Sequence, residues 1–388
     1  MKLAFVVQRY GADIAGGSEG HCRQLAERLS SRHDITILTT CARDYVTWAN
    51  VYLAGTRMEN GVRVTRFRVD RPRRLKDFAD LSDEVFEGHA PPERQEAWFH
   101  ENGPASAALL DHLRRHGRDY DLVLFWAYRY FQSYFGLPLV RDRAVLLPTA
   151  EEDPAIMLDV LHEYFQLPAG YLFLTPEEEA LVSRRAGRTL KPSATIGIGI
   201  EPAKHSVSQG QMVRLPPYVL YLGRVDRNKG CDTLLEYFQT YADTSNDVTL
   251  VLAGPAKLQI PAHPQIRALG YVSDEVRLGL LANAQALIVP SPYESLSIVL
   301  LEAWNHGVPA IVNGRCQVLA GQVRRANGGL AYRSSAEFDE ALRYLLTHAP
   351  EREALGRQGL AYVEQEYRWP TVLGRVETLL AEVSSRRT

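Results

Sequence analysis

The segment Ala286-Leu287-Ile288-Val289-Pro290-Ser291-Pro292-Tyr293-Glu294-Ser295-Leu296-Ser297-Ile298-Val299-Leu300-Leu301-Glu302 decides how this chain is read. A short apolar run leads into a polar turn, and a second apolar run follows. Bounded in this way, the first run reads as a buried strand and the second as a buried helix. Ser295 and Ser297 are candidate N-caps, and Gly307 followed by Pro309 supplies the stop. Glu302 is flanked by Val299, Leu300, Leu301, Ala303 and Trp304. A carboxylate in such surroundings needs a partner. If the helix ran unbroken from Glu294 to Glu302, the two carboxylates would sit about 80° and 12 Å apart. Both could then reach one elongated ligand, and the helix N-terminus would offer N–H groups to an anion. A ligand with hydroxyls at its ends and phosphates between them, such as a nucleotide sugar, suits that arrangement.

A chain of 388 residues is long for one core, and two domains are expected. Hydrophobic content of 46% and charged content of 23% are those of an ordinary globular chain. A net charge of −2 argues against a general nucleic-acid binder. Cys22, Cys41, Cys231 and Cys316 are scattered, which excludes a CxxC motif and a disulfide framework and points to a reducing cytoplasm. No run approaches the ~18 apolar residues of a membrane span. Met1 to Arg9 reads as a first strand rather than a signal peptide.

Outward from the opening segment, strands and helices alternate. Strands are expected at Leu3 to Val7, Ile35 to Thr39, Gly61 to Arg68, Asp121 to Trp126, Ala144 to Leu147 and Leu172 to Leu174. Ser18 opens a helix, Asp80 to Arg115 is mostly helical with a break near Ala90-Pro91-Pro92, and Thr175 with Glu178 forms a capping box. Glu201 to Pro217 reads as a linker. Beyond it, strands are expected at Val219 to Leu222, Val248 to Leu252, Ala286 to Val289 and Pro309 to Val312. A terminal helix at Trp369 to Val383 carries Val372, Val376, Leu379, Leu380 and Val383 on one face. This is the pattern of two parallel, doubly wound α/β domains, whose ligands bind at the carboxyl ends of the strands.

Two further motifs fall at such ends. Gly223-Arg224-Val225-Asp226-Arg227-Asn228-Lys229-Gly230 follows the first strand of the second domain. Arg grips phosphate oxygens bidentately and Lys acts as a compact charge. Gly16-Gly17-Ser18-Glu19 lies at a strand-to-helix junction, where glycine permits close backbone approach. It is not GxGxxG, and no GxxxxGK[ST] loop occurs.

Taken in order, Gly16-Gly17-x-Glu19, the G-R-x-x-x-x-K-G turn of Arg224 and Lys229, and the E-x7-E pair of Glu294 and Glu302 resemble the retaining GT-B glycosyltransferases of family 4, the group 1 glycosyl transferases. The resemblance covers essentially the whole chain. It implies a GT-B fold of two Rossmann-like domains facing a cleft. Residues 1–200 would bind the acceptor, 201–368 the nucleotide-sugar donor, and 369–388 would form a helix returning to the first domain. It further implies a metal-independent hexosyltransferase that needs no cofactor and takes a nucleoside-diphosphate sugar as donor substrate.

In the roles implied, Arg224 and Lys229 hold the diphosphate, Glu294 faces the transferred sugar and Glu302 binds the ribose hydroxyls. Backbone at Leu296, Ser297 and Ile298 meets phosphate or sugar, Val272 meets the base, and Gly17 with Gly16 approaches from the opposite domain. Leu296 and Ser297 stand where the family usually has Phe-Gly, which leaves the donor sugar open. Pro148-Thr149-Ala150-Glu151-Glu152-Asp153 has no histidine where many members carry one, so Glu151, Glu152 and Asp153, with Glu19, are the acceptor-side candidates. His21 and Trp126 to Tyr130 are candidates for lining an acceptor pocket. The basic stretch from Arg63 to Lys76 reads either as a solvated strand and loop or as a surface for an anionic membrane or a lipid-linked pyrophosphate. The expected partners are a donor and a glycan or lipid-linked acceptor, with no nucleic acid, in a cytoplasmic protein for which the second reading of the basic stretch adds peripheral contact with the inner membrane face. A sugar-nucleotide epimerase and a non-catalytic nucleotide-sugar binder are the alternatives.

Overall fold

The computed structural model describes residues 1–14, 16–88, 90–203 and 215–386. The expected linker, Glu201 to Pro217, lies mostly outside the described residues. The chain divides into two units, Met1–Gly197 with Leu373–Thr388, and Ile198–Val372.

The first unit is built on strands β1 (Lys2–Val6), β2 (Asp34–Thr40), β3 (Gly55–Glu59), β4 (Val62–Phe67), β5 (Leu122–Trp126), β6 (Ala144–Leu147), β7 (Gly170–Phe173) and β8 (Ser193–Thr195). Their spatial order is β3-β4-β2-β1-β5-β6-β7-β8. Only β3, which the sequence reading did not anticipate, runs antiparallel, as an edge partner of β4. It is exposed and polar, so it lacks the apolar pattern by which a strand is recognised. The expected long helical stretch is three helices, Leu75–Phe86, Pro92–Asn102 and Ala107–His116. A second interruption falls at Gly103 to Ser106, where Ser106 Oγ caps the next helix by accepting from the Leu109 N–H.

The second unit carries β9 (Tyr218–Leu222), β10 (Thr249–Ala253), β11 (Ile266–Gly270), β12 (Ala286–Val289), β13 (Ala310–Asn313) and β14 (Gly329–Tyr332), ordered β11-β10-β9-β12-β13-β14. All its pairings are parallel. Strands β9, β10 and β12 are buried throughout, as a sheet covered on both faces requires. Counted within the unit, the order is 3-2-1-4-5-6, that of a doubly wound dinucleotide-binding sheet. The direction of winding reverses between β9 and β12, so the loops leaving these strands diverge and open a crevice at their carboxyl ends.

The C-terminal helix Trp369–Ser385 joins the first unit from Leu373 onward. Val372, Val376, Leu379, Leu380 and Val383 are all buried. Fully burying such a side chain contributes roughly 1.5–3 kcal/mol, ample for a helix that alone would be marginal. Its packing on the first unit is close: a Cβ added at Gly170 would lie 2.4 Å from Val383. Arg32 anchors Glu377 at 2.8 Å.

Candidate active site

In the second unit the site begins at the end of β9. Gly223 has φ 140° and Gly230 φ 70°, conformations that favour glycine. A Cβ at Gly230 would also lie 2.4 Å from the Pro290 carbonyl oxygen, so the β9 loop is pressed against the loop leaving β12. Asp226 caps the intervening turn by accepting from the Lys229 N–H at 3.0 Å. The Tyr221 hydroxyl donates to the Arg224 carbonyl at 2.6 Å. Held in this way, Lys229 places Nζ 2.8 Å from Glu294 Oε1. Arg224 Nε lies 3.7 Å from Asp226 Oδ2, and its side chain is 40% exposed. The structure therefore brings together Arg224, Lys229 and Glu294, from the two loops that flank the switch point.

The helix after the turn spans Ile298–Asn305, so it does not run unbroken from Glu294. The chain through 290–297 is irregular, and the helical separation expected for the two carboxylates does not apply. Ser297 occupies the N-cap position, but its hydroxyl makes no capping bond and is buried without a partner. Its N–H donates instead to Gln322 Oε1 at 3.3 Å. Leu296 is buried and Ile298 half-buried at the helix start. Gly307 ends the helix with φ 71°.

Glu302 is held by Arg277, whose Nη1 lies 2.7 Å from Glu302 Oε2. Burial pushes the Glu302 carboxyl up from its ordinary range, and the Arg277 guanidinium opposes that rise. Arg277 stands on the helix Asp274–Asn283, which follows the turn containing Val272. Cys316 lies close to Glu294. Burial and the Glu294 charge push its thiol up to about 11, although N–H groups of Leu319, Val318 and Glu294 point toward it. Sequence reasoning singled out neither Arg277 nor Gln322. An arginine one turn into a helix and a glutamine within one are unremarkable until the fold sets Glu302 and Ser297 beside them.

In the first unit, Gly16 precedes the helix Gly17–Leu29. A Cβ on Gly16 would lie 2.3 Å from Glu19 Oε2. That carboxylate is taken by Arg9, whose Nε donates to Oε1 at 2.9 Å, and both side chains are 7% exposed. Arg9 also donates to the Arg43 carbonyl and lies over the rings of Tyr45 and Trp48. The structure thus gives Glu19 the task of setting the Gly16-Gly17 loop.

Of the acidic trio after β6, Asp153 pairs with Arg129 at 2.6 Å and Glu152 with Arg184 at 3.3 Å. The loop itself is clamped from beneath by Glu178, which accepts from the Ala150 N–H at 2.7 Å and from the Leu174 N–H. Thr149 in this loop has φ 47° and Ala127 at the end of β5 has φ 59°. Strained non-glycine backbone of this kind persists only where its surroundings over-determine it. Trp126 and Tyr128 are fully buried. His21 meets Trp126 edge-on at 6.2 Å, and burial pushes its imidazole down to about 4.

Burial also pushes the Glu178 carboxyl up from 4.5 to about 8, against the pull of its backbone N–H partners. A carboxyl with a raised folded pKa contributes stability that is complete below the unfolded value and is lost as pH rises through the folded one. Stability of the first unit is therefore expected to decline between about pH 4.5 and 8. Glu178→Gln is expected to flatten that decline, read as the urea midpoint at pH 5 against pH 8.5.

Several arginines of the basic stretch have partners within the first unit. Arg66 is buried, pairs with Glu59 at 3.0 Å and donates to the Tyr10 carbonyl at 2.7 Å. Arg73 donates to Asn102 Oδ1 at 2.9 Å and lies over the Trp48 and Phe78 rings. Arg71 pairs with Glu101, Arg63 with Asp34 and Arg74 with Asp77. Arg66 and Arg73 are thus committed internally, while Arg63, Arg68, Arg74 and Lys76 are exposed. Among the described residues, no helix is long and apolar enough to cross a membrane, and no group of three or more His, Cys, Asp and Glu side chains could hold a metal ion.

Residues 216–348 match the family described as glycosyl transferases group 1. A GDP-mannose-dependent alpha-(1-6)-phosphatidylinositol dimannoside mannosyltransferase of Mycobacterium tuberculosis is 26% identical over 179 residues, 43% of this chain and 46% of the relative. The match thus spans less than half of that relative's length. A sucrose-phosphate synthase of Thermosynechococcus elongatus superposes with a TM-score of 0.73 at 17% identity, covering 99% of both chains. The Anabaena protein Alr3699/HepE, solved with UDP and glucose, superposes at 0.70 with 14% identity, over 98% of this chain and 100% of that one. The chain thus has the GT-B fold, and residues 216–348 of its second unit match the glycosyl transferases group 1 model.

Proposed function

We propose that this chain is a retaining, metal-independent glycosyltransferase of the hexosyl type. It moves a sugar from a UDP- or GDP-linked donor to a hydroxyl of a lipid-linked or surface glycan in the cytoplasm. The observation that carries this reading is the Lys229–Glu294 pair, 2.8 Å apart beside Arg224, at the switch point of the second sheet.

In the chain without donor, Lys229 and Glu294 neutralise each other. A donor diphosphate offers Lys229 a stronger anionic partner and frees Glu294 to accept hydroxyls of the sugar. As the bond from the anomeric carbon to the diphosphate oxygen breaks, negative charge grows on the leaving oxygens. Arg224, Lys229 and the N–H groups of Leu296 and Ile298 would stabilise it, which is catalysis by preorganised charge, with Ser297 held at the helix start by Gln322. Glu302 takes the ribose hydroxyls and backbone at Val272 the base. Residues 1–200 serve the acceptor, with Gly16, Gly17 and the loop of Glu151, Glu152 and Asp153 at the strand ends where ligands bind in such sheets. The mannosyltransferase relative is named for GDP-mannose and the Anabaena protein was solved with UDP, so both nucleotides are tested as donors.

Thermal unfolding in the presence of UDP, GDP and their common sugar conjugates tests the reading. A donor at 100 times its Kd is expected to add ~2.7 kcal/mol, a shift of several degrees. Absence of a shift with every UDP and GDP conjugate, together with no nucleoside diphosphate released on long incubation, would eliminate it.

A further inference from the structure

Arg277 and Glu302 come from two helices, Asp274–Asn283 and Ile298–Asn305, and meet at 2.7 Å with their side chains 29% and 25% exposed. The pair is hard to account for as a stabilising device. A largely buried ion pair gains little over apolar side chains of similar volume, because desolvation cancels most of the attraction. The guanidinium also meets the exposed Asp274, with Nε 3.2 Å from Oδ1.

We propose that Arg277 is a positioning residue for ribose recognition. It fixes the Glu302 carboxylate through Oε2 and leaves the remaining lone pairs to accept from the two vicinal hydroxyls of a nucleoside diphosphate. The proposal rests on the preceding assignment of Glu302 to the ribose. A carboxylate has about four lone-pair sites, and one arginine N–H occupies one of them. The terminal torsion of glutamate is soft, so an unrestrained carboxylate pays orientational entropy on meeting a diol. The planar fork of arginine restricts that freedom. Burial and the Asp274 charge raise the Glu302 pKa, and Arg277 is the cation that opposes them.

The test is calorimetric binding of UDP and GDP, and of their 2′,3′-dideoxy counterparts, to the full chain and to Arg277→Met and Arg277→Lys. For the better-bound nucleotide, loss of both hydroxyls is expected to weaken wild-type binding by about tenfold or more, the scale of hydrogen bonds to a charged group. In Arg277→Met the ribonucleotide weakens by about as much, and the penalty for the dideoxy form shrinks to under about threefold. Arg277→Lys restores part of the penalty. An Arg277→Met chain that folds and keeps the wild-type penalty overturns the proposal, since a merely structural arginine would weaken both forms alike. Should Arg277→Met not fold, a wild-type penalty in Arg277→Lys overturns it equally. Wild type binding neither UDP nor GDP removes the nucleotide reading itself. Tight binding with no hydroxyl penalty removes the ribose role of Glu302 and this proposal while leaving the donor site standing.

Discussion

Lys229→Ala is expected to lower kcat for sugar transfer by roughly 10²–10³-fold, the scale found when one preorganised donor to a developing oxyanion is removed. Lys229 is unusual among surface lysines in being set by its own backbone. Its N–H is capped by Asp226, it is followed by Gly230 with φ 70°, and its Nζ meets a Glu294 side chain that is 13% exposed. The charge it answers is larger in the transition state than in the bound donor. Both kcat and kcat/KM should therefore fall, rather than KM rising alone. Lys229→Arg keeps the charge with a different fork geometry and is expected to recover part of the loss. The assay is release of nucleoside diphosphate with the donor found by thermal stabilisation. A Lys229→Ala chain that turns over normally would dissociate the pair from catalysis and leave it a structural contact. Removing the cation also leaves the Glu294 carboxylate beside Cys316 without its main counter-charge, so the variant is checked for unaltered unfolding.

Glu19→Ala is expected to be the most damaging single change to the fold of the first unit, at about 3–5 kcal/mol, the usual cost of leaving a buried charge uncompensated. Arg9 is 6% exposed and cannot regain water without opening the strand-to-helix junction. In a unit of this size 1 kcal/mol corresponds to roughly 2–4 °C, so its unfolding transition should drop by about 6–20 °C. Glu19→Gln keeps the shape and one acceptor, and should fall between wild type and alanine. A loss in the alanine variant no greater than that of an exposed substitution, under about 0.5 kcal/mol, would show that the ion pair does not hold the loop. The same contact explains Gly16: any side chain there would occupy the volume in which the Glu19 carboxylate meets Arg9.

These two residues show how far a sequence carries the reading. Lys229 and Glu294 were legible as candidates because each sits in a turn just beyond an apolar strand, and turns at strand ends are where a parallel sheet binds ligands. Glu19 was legible as part of a glycine-rich junction, but its partner was not. Nothing around Arg9 distinguishes it from a solvated arginine. The partners of the basic stretch from Arg63 to Lys76 were hidden in the same way. In sequence it is a run of positive charge, and the acids and carbonyls that absorb it come from distant segments, among them Glu101 and Asn102. Strand β3 went unseen because an exposed edge strand has no apolar alternation to reveal it.

The sequence by itself determined the alternation of buried strands and amphipathic helices, the division into two units of one architecture, and the turn chemistry of the glycine, arginine and lysine positions. All of these are properties of short segments, set by periodicity and backbone preference. Only the tertiary structure decided which charges meet. Lys229 finds Glu294 65 residues away because β9 and β12 are neighbours. Glu178 clamps Ala150 28 residues away because β6 and β7 are. Arg277 reaches Glu302 because two crossover helices lie against the same sheet. Pairing of this kind depends on strand order and on the path of each crossover. Those follow from how whole faces bury one another, not from any local pattern, so the electrostatic content of the site becomes visible only once the sheet is assembled.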